Sequence, residues 1–207
     1  MLNNLILDIG NVICDWNPDG LVASAFDTKE EQQAALKVTV QTPDWLALDR
    51  GTLSVEEAIS RAQARTDLNP DGIAKIYTNL CTSLLPLQGT MDAMHKAKAA
   101  GVPIYILSNM QHHSWAHLKE TYDCWDACEG FLISCDVGLI KPDRAIYQCL
   151  CDTFSVTPES CVFVDDMAEN IEAAIDFGMQ GVQLTDKHAG GGVVDELVGR
   201  ILVGRGA

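Results

Sequence analysis

Apolar residues in this chain gather in short runs. Four stand out, at Leu5–Ile9, Pro103–Leu107, Cys161–Val164 and Val182–Leu184, with a weaker fifth at Phe131–Ser134. They are rich in Ile, Val, Leu and Phe and bounded by Gly, Asp, Asn or Pro, the pattern of strands buried on both faces of a parallel sheet. Helical patterns lie between them. Asp92–Ala100 is Ala-rich and closes at Gly101, Asp143–Phe154 follows Lys141-Pro142, and Ala168–Phe177 closes at Gly178, each glycine suiting the left-handed position after a helix. Strands alternating with helices predict an α/β fold, a doubly wound parallel sheet with helices on both faces.

Residues 17–86 follow a different pattern. Two capping-box signatures, Thr28-Lys29-Glu30-Glu31 and Ser54-Val55-Glu56-Glu57, mark helix starts, and Asn69-Pro70-Asp71 opens a third helix. Leu36–Val40 is the one contestable strand run there. This predicts a small all-helical domain, 17–86, inserted after the first strand into a core made of 1–16 and 87–207, placed as a lid over the sheet. Gly190-Gly191-Gly192 lacks the context of a nucleotide-binding loop and reads as an ordinary loop.

Composition narrows the function. The 207 residues are 47% hydrophobic and 21% charged, enough for a globular core without disulfides or structural metal. The net charge of −15 excludes a general binder of nucleic acid or of anionic membrane surfaces. It also means that an anionic substrate needs a local reversal of the field. The first residues carry no basic region, the run Leu5-Ile6-Leu7 stops at Asp8, and no stretch approaches the ~20 apolar residues of a membrane span. The eight cysteines contain no C-x-x-C pair. Together these features predict a cytoplasmic protein with reduced, largely buried thiols. No pattern speaks to oligomeric state.

The polar residues at the strand ends change the picture most. Ligands of open α/β sheets bind at the carboxyl ends of the strands. Asp8 ends the first run, Ser108-Asn109 the second and Asp165-Asp166 the fourth, while Lys141 sits in the loop after the third. Helix caps and turns would explain each separately. Taken together, three carboxylates, an ammonium and two neutral donors converge on one sheet edge. Like charges so close favour a hard divalent cation with oxygen ligands, most simply Mg²⁺, which lets an anion bind.

The ordered set Asp8, Ser108, Lys141 and Asp165-Asp166 resembles the four motifs of the haloacid dehalogenase-like (HAD) superfamily, over almost the whole chain, with the helical insert similar to that family's small cap. The first motif, Asp8-Ile9-Gly10-Asn11-Val12, is similar to the D-x-G-N-V subgroup that includes sugar-phosphate phosphatases such as α-D-glucose-1-phosphate phosphatase. The resemblance implies a Rossmann-like HAD core and a Mg²⁺-dependent phosphatase acting on a small-molecule phosphate ester. It implies Asp8 as the nucleophile that forms an aspartyl-phosphate, and Mg²⁺ held by Asp8, the Gly10 carbonyl and Asp166, with Asp165 direct or through water. Ser108 and the Asn109 N–H would hold phosphoryl oxygens, and Lys141 would neutralise their charge. Asn170 would support the metal site.

One position departs. Most phosphatases of the superfamily carry a second Asp two residues after the nucleophile as general acid and base, and here that residue is Gly10. Asp15 and Asp49 are the candidate replacements. Trp45, Asp49, Arg50 and His112 are the candidate substrate contacts. His113 and His117, spaced i and i+4, offer a weak zinc pattern without further ligands. Two alternatives remain open: a metal-free 2-haloacid dehalogenase in which Asp8 attacks carbon, and a catalytically weak relative that binds a phosphometabolite.

Overall fold

The structure is a computed structural model and describes residues 1–206. Strand β1 (Asn4–Leu7) leads into a tight loop and the two-residue strand β2 (Cys14–Asp15). Five helices follow: α1 (Pro18–Ala23), α2 (Lys29–Val38), α3 (Pro43–Asp49), α4 (Val55–Gln63) and α5 (Pro70–Ser83). Strand β3 (Leu85–Pro86) returns antiparallel to β2, so a two-stranded ribbon brackets the helical segment. The rest alternates: α6 (Gln88–Ala99), β4 (Ile104–Ser108), α7 (His112–Thr121), β5 (Gly130–Ile133), α8 (Ser134–Val137), α9 (Arg144–Phe154), β6 (Cys161–Asp165), α10 (Ala168–Phe177), β7 (Gln180–Gln183) and α11 (Gly190–Arg205).

The main sheet has the order β5-β4-β1-β6-β7, all parallel. Side chains alternate across it, as the twofold period of a strand requires. Leu5 and Leu7 of β1 join the layer with Met94 of α6 and Leu197 of α11. Ile6 joins Tyr147 of α9 and Phe177 of α10 on the other face. The predicted doubly wound sheet is therefore present, with β1 at its centre. The helical segment has its own apolar cluster, including Leu21, Phe26, Trp45, Leu48, Ile73, Ile76 and Tyr77. The starts of α2, α4 and α5 carry the caps read from sequence: Thr28 and Glu31 close a full capping box, Ser54 accepts from Glu57 N–H, and Asn69 from Asp71 N–H.

The contestable run Leu36–Val40 is helical, as the all-helical reading of this segment has it: α2 runs to Val38 and a turn follows. One expectation needs correction. Gly190-Gly191-Gly192 is not a loop but the first turn of α11, the longest helix. The reason is a close crossing with α6. A Cβ on Gly191 would lie 2.5 Å from the Gly89 carbonyl oxygen, so the glycines permit a helix approach that larger residues would block. All eight cysteines are free thiols. No helix among the described residues is long and apolar enough to cross a membrane.

Candidate active site

The carboxyl ends of β1, β4 and β6 meet in one cavity of about 380 Å³, roofed by the helical segment. Asp8, Gly10, Ser108, Asn109, Lys141 and Asp166 line its floor. Asp8 sits just beyond β1 because burial of the four residues before it fixes the strand, and its N–H donates to Val164 O of β6 at 3.0 Å.

Lys141 is the electrostatic centre. Its ammonium is buried, 2.9 Å from Asp8 Oδ1 and 2.6 Å from Asp165 Oδ2. Burial opposes its charge, but the two carboxylates outweigh that and hold it above the usual lysine range. Its backbone is fixed as well: Lys141 N–H donates to Asn109 Oδ1 at 2.8 Å, and Asn109 Nδ2 donates to Lys141 O at 3.0 Å. The Asn109 side chain is therefore consumed in holding the lysine.

The two neighbouring aspartates differ. Asp165 is fully buried and saturated: beyond Lys141, it accepts from Met167 N–H at 2.8 Å and from Asn170 Nδ2 at 3.0 Å on both oxygens. Asp166 faces the cavity and takes Asn11 Nδ2 at 2.8 Å on Oδ2. Asn11 holds the left-handed conformation with φ 53°, and its other amide atom accepts Trp16 N–H at 3.0 Å. A non-glycine residue in that region marks local strain at the site. Sequence reasoning passed over Asn11 as a motif letter; its role needs the distance to Asp166.

The donor set fits a hard cation. One carboxylate oxygen each from Asp8, Asp165 and Asp166 lie within 4.8 Å of one another. Asp8 Oδ1 is buried without a well-aligned hydrogen bond. Burial pushes the Asp8 carboxyl up, Lys141 pulls it back and Asp165 pushes it up again. Burial also raises Asp166, with the Asn11 hydrogen bond opposing. Carboxylates held so uncomfortably together are what a divalent ion relieves. Because Asp165 is already saturated, Asp8 and Asp166 are the better placed oxygens, with Gly10 also at the cavity wall.

The remaining candidates separate. Trp45 and Asp49 of α3 line the cavity. Arg50 does not; it reaches Asp143 at 3.4 Å on the surface. His112 does not either; its Nδ1 faces Asp136 Oδ1 at 3.3 Å at the exposed start of α7. Asp15 pairs with Lys187 away from the cavity. His113 and His117 form no ligand group among the described residues; the second cluster found is His112, Cys135 and Asp136. Gln111, unflagged by sequence, is 3% exposed and lines the cavity, with its Oε1 buried and without a partner.

A family model for haloacid dehalogenase-like hydrolases matches residues 5–178. The chain belongs to the haloacid dehalogenase-like hydrolase family. Among curated relatives of this hydrolase, a sesquiterpene phosphatase of Aspergillus oryzae is 27% identical over 194 residues, 94% of this chain and 95% of that protein. An (S)-2-haloacid dehalogenase of Pseudomonas fluorescens is 32% identical over 95 residues, 46% of this chain and 42% of its own. Among solved structures, a HAD-family enzyme of Bacteroides thetaiotaomicron, in complex with magnesium and inorganic phosphate, superposes with a TM-score of 0.72. It is 16% identical, with 90% of this chain and 95% of that one covered, a likeness of fold.

Proposed function

We propose that this HAD hydrolase is a Mg²⁺-dependent phosphatase that cleaves a small phosphate monoester through an aspartyl-phosphate on Asp8. The observation that carries the reading is the buried Lys141 bridging Asp8 and Asp165, beside a second cavity-facing carboxylate at Asp166. The domain organisation follows the same reading, with 1–16 and 87–207 as catalytic core and 17–86 as cap.

Each residue then has a task. Asp8 attacks phosphorus, its carboxylate oriented by Lys141. Ser108, buried at the end of β4, and the Asn109 N–H hold phosphoryl oxygens. Asp165 positions Lys141. Asp8, Asp166 and the Gly10 carbonyl would hold Mg²⁺, which when bound supplies counter-charge to the phosphoryl group. Asn170 keeps Asp165 in place. The saturation of Asp165 argues for an indirect part in metal binding.

The alcohol half of the ester is proposed to be largely apolar. Above the floor the cavity is walled by Trp16, Val40, Trp45, Leu46, Leu80, Leu84, Met110 and Met167. A sugar, which the D-x-G-N-V motif suggests, needs hydrogen-bond partners for each hydroxyl; above the floor these are limited to Asp49, Gln111, Ser114 and Glu169, against eight apolar side chains. The name of the Aspergillus oryzae relative, a sesquiterpene phosphatase, agrees with an apolar alcohol. The dehalogenase reading is weaker because a metal-free site gains nothing from two adjacent carboxylates.

The test is a panel of esters with purified protein. Farnesyl phosphate, p-nitrophenyl phosphate and glucose 1-phosphate are compared with Mg²⁺ and with EDTA, and with Asp8→Asn. Release of phosphate that needs Mg²⁺ and Asp8, fastest on the prenyl ester, is expected. Activity that survives EDTA or Asp8→Asn overturns the mechanism, and a preference for the sugar ester overturns the substrate class.

A further inference from the structure

A phosphatase that lacks the second Asp of the first motif must find its proton elsewhere, because the leaving alkoxide of an alkyl ester is strongly basic. Gly10 offers no side chain. The lining of the cavity contains one further carboxylate on the cap side, Asp49, the last residue of α3.

The loop that carries Asp49 is latched to the core at three successive residues. Ser134 Oγ, fully buried at the start of α8, donates to the Asp49 carbonyl, and the same oxygen accepts Met110 N–H at 2.9 Å. Arg50 reaches Asp143. Gly51, at φ 75°, lies so close to α8 that a Cβ there would stand 2.5 Å from the Cys135 carbonyl oxygen. Three contacts on consecutive residues fix this end of α3 over the strand ends, unlike a surface acid that samples solvent. Gln111 lies beside Asp49 in the cavity lining, buried, with its Oε1 without a partner.

Resting on the phosphatase reading above, we propose that Asp49 is the general acid and base of the reaction, supplied by the cap in place of the carboxylate missing at Gly10. In the first half-reaction an Asp8 oxygen forms a bond to phosphorus as the phosphorus–alkoxide bond breaks. The Asp49 carboxylic acid gives its proton to the leaving oxygen, releasing the alcohol. In the second, the Asp49 carboxylate takes a proton from water as the water oxygen bonds to phosphorus. The bond from phosphorus to Asp8 breaks, which frees phosphate and restores protonated Asp49.

The environment suits both roles. Burial pushes the Asp49 carboxyl up to about 7, with Gln111 pulling down, Asp8 pushing up and Lys141 pulling down. A group near neutrality can give and take a proton in one cycle. The ionisable groups that face it are Asp8 at the end of β1, Lys141 from the loop before α9 and the protonated thiol of Cys135 on α8. Arg50 next to it is turned to Asp143.

The test uses the whole chain with Mg²⁺ and two esters, p-nitrophenyl phosphate and 2-phenylethyl phosphate. Nitrophenolate leaves without a proton, and phenylethoxide does not. Asp49→Asn is expected to slow the alkyl ester by about 10²–10⁴-fold, the usual worth of general acid–base catalysis. On p-nitrophenyl phosphate it is expected to give one burst of nitrophenolate per enzyme, then slow turnover, with the phosphoryl group trapped on the protein after acid quench. Gly10→Asp in the Asp49→Asn background is expected to restore turnover; the glycine site has room, its nearest neighbour to a Cβ being Trp16 Cβ at 3.7 Å. Equal loss on both esters with no burst and no rescue overturns the proposal, as does Asp49→Asn turning over both like wild type. Wild type that forms no phosphoenzyme refutes the phosphatase reading itself, a result distinct from either.

Discussion

The two walls of the cavity are built on opposite principles. The core wall is charged, and the residues that support Asp8 are saturated. Asp165 spends every lone pair on Lys141, Asn170 and a backbone N–H, and Asn109 spends its amide on the Lys141 backbone. The cap wall is apolar apart from Asp49, with Trp45 packed between the tilted rings of Trp16 at 5.8 Å and Tyr77 at 5.9 Å, and Leu46 left 55% exposed at the mouth. The difference separates two tasks. A charged network whose supporting groups are all paired, leaving Asp8 Oδ1 and Asp166 turned to the cavity, holds reacting atoms in one geometry. An apolar wall accepts any hydrocarbon of suitable size and gives little directional choice.

Breaking the core wall has the largest expected effect. Lys141→Met leaves Asp8 and Asp165 buried without their shared cation. Removing one partner of a buried ion pair costs about 3–5 kcal/mol, so urea melts move to a lower midpoint and phosphate release from every ester is lost. A midpoint unchanged from wild type contradicts the account of Lys141 as the charge that holds this wall together.

Two aspartates of α3, five residues apart, sharpen the contrast through opposite pH dependence. Asp49 faces the cavity and has its folded pKa raised to about 7, against ~3.9 unfolded. It therefore binds more protons folded than unfolded between these values, and its contribution to stability falls as pH rises through that window. Asp49→Asn is expected to melt at least ~2 °C above wild type at pH 8, with the gap closing as pH falls to about 4. No gap at pH 8 removes the burial argument for this group.

Asp44 lies at the other end of the same helix and behaves in reverse. Hydrogen bonds from Arg65 and Arg61 hold its carboxyl below the usual range, and the Arg61 contact is 3.0 Å. Its stabilisation is present above about pH 4 and is lost as pH falls below the unfolded value. Asp44→Asn is expected to flatten the loss of melting temperature between pH 6 and pH 3. A slope equal to that of wild type contradicts it.

The smallest effect belongs to the mouth. Leu46→Ser is expected to change stability by less than about 0.5 kcal/mol, as exposed substitutions do, while raising KM several-fold for a prenyl ester and leaving p-nitrophenyl phosphate unchanged. An equal KM change for both esters argues against an apolar alcohol on this wall.

Legibility divides along the same line. The core was readable because a buried parallel strand must be a continuous apolar run, and the residue after it must be where the chain meets ligand. Asp8, Ser108 and Asp165 announce themselves by that rule. The starts of three helices in the segment after β2 were readable from their caps at Thr28, Ser54 and Asn69. The cap wall was not readable in the same way, because contact between α3 and the core depends on how two elements dock. Asp49 and Arg50 are adjacent in sequence, yet one enters the cavity and the other turns to Asp143. Asn11 acts through a distance to Asp166, and Gln111 through its place in the cavity lining, neither of which any spacing encodes. The glycines at 190–192 misled because their cause is a neighbouring helix, Gln88–Ala99, a hundred residues away.

The central claim is that Asp8 carries the phosphoryl group. The most direct measurement is acid quench of the enzyme during turnover of p-nitrophenyl phosphate with Mg²⁺, followed by peptide mass analysis. The account predicts a mass gain of one phosphoryl group on the peptide that contains Asp8, increased in Asp49→Asn and absent in Asp8→Asn. Steady phosphate release with no such adduct in either wild type or Asp49→Asn would contradict it.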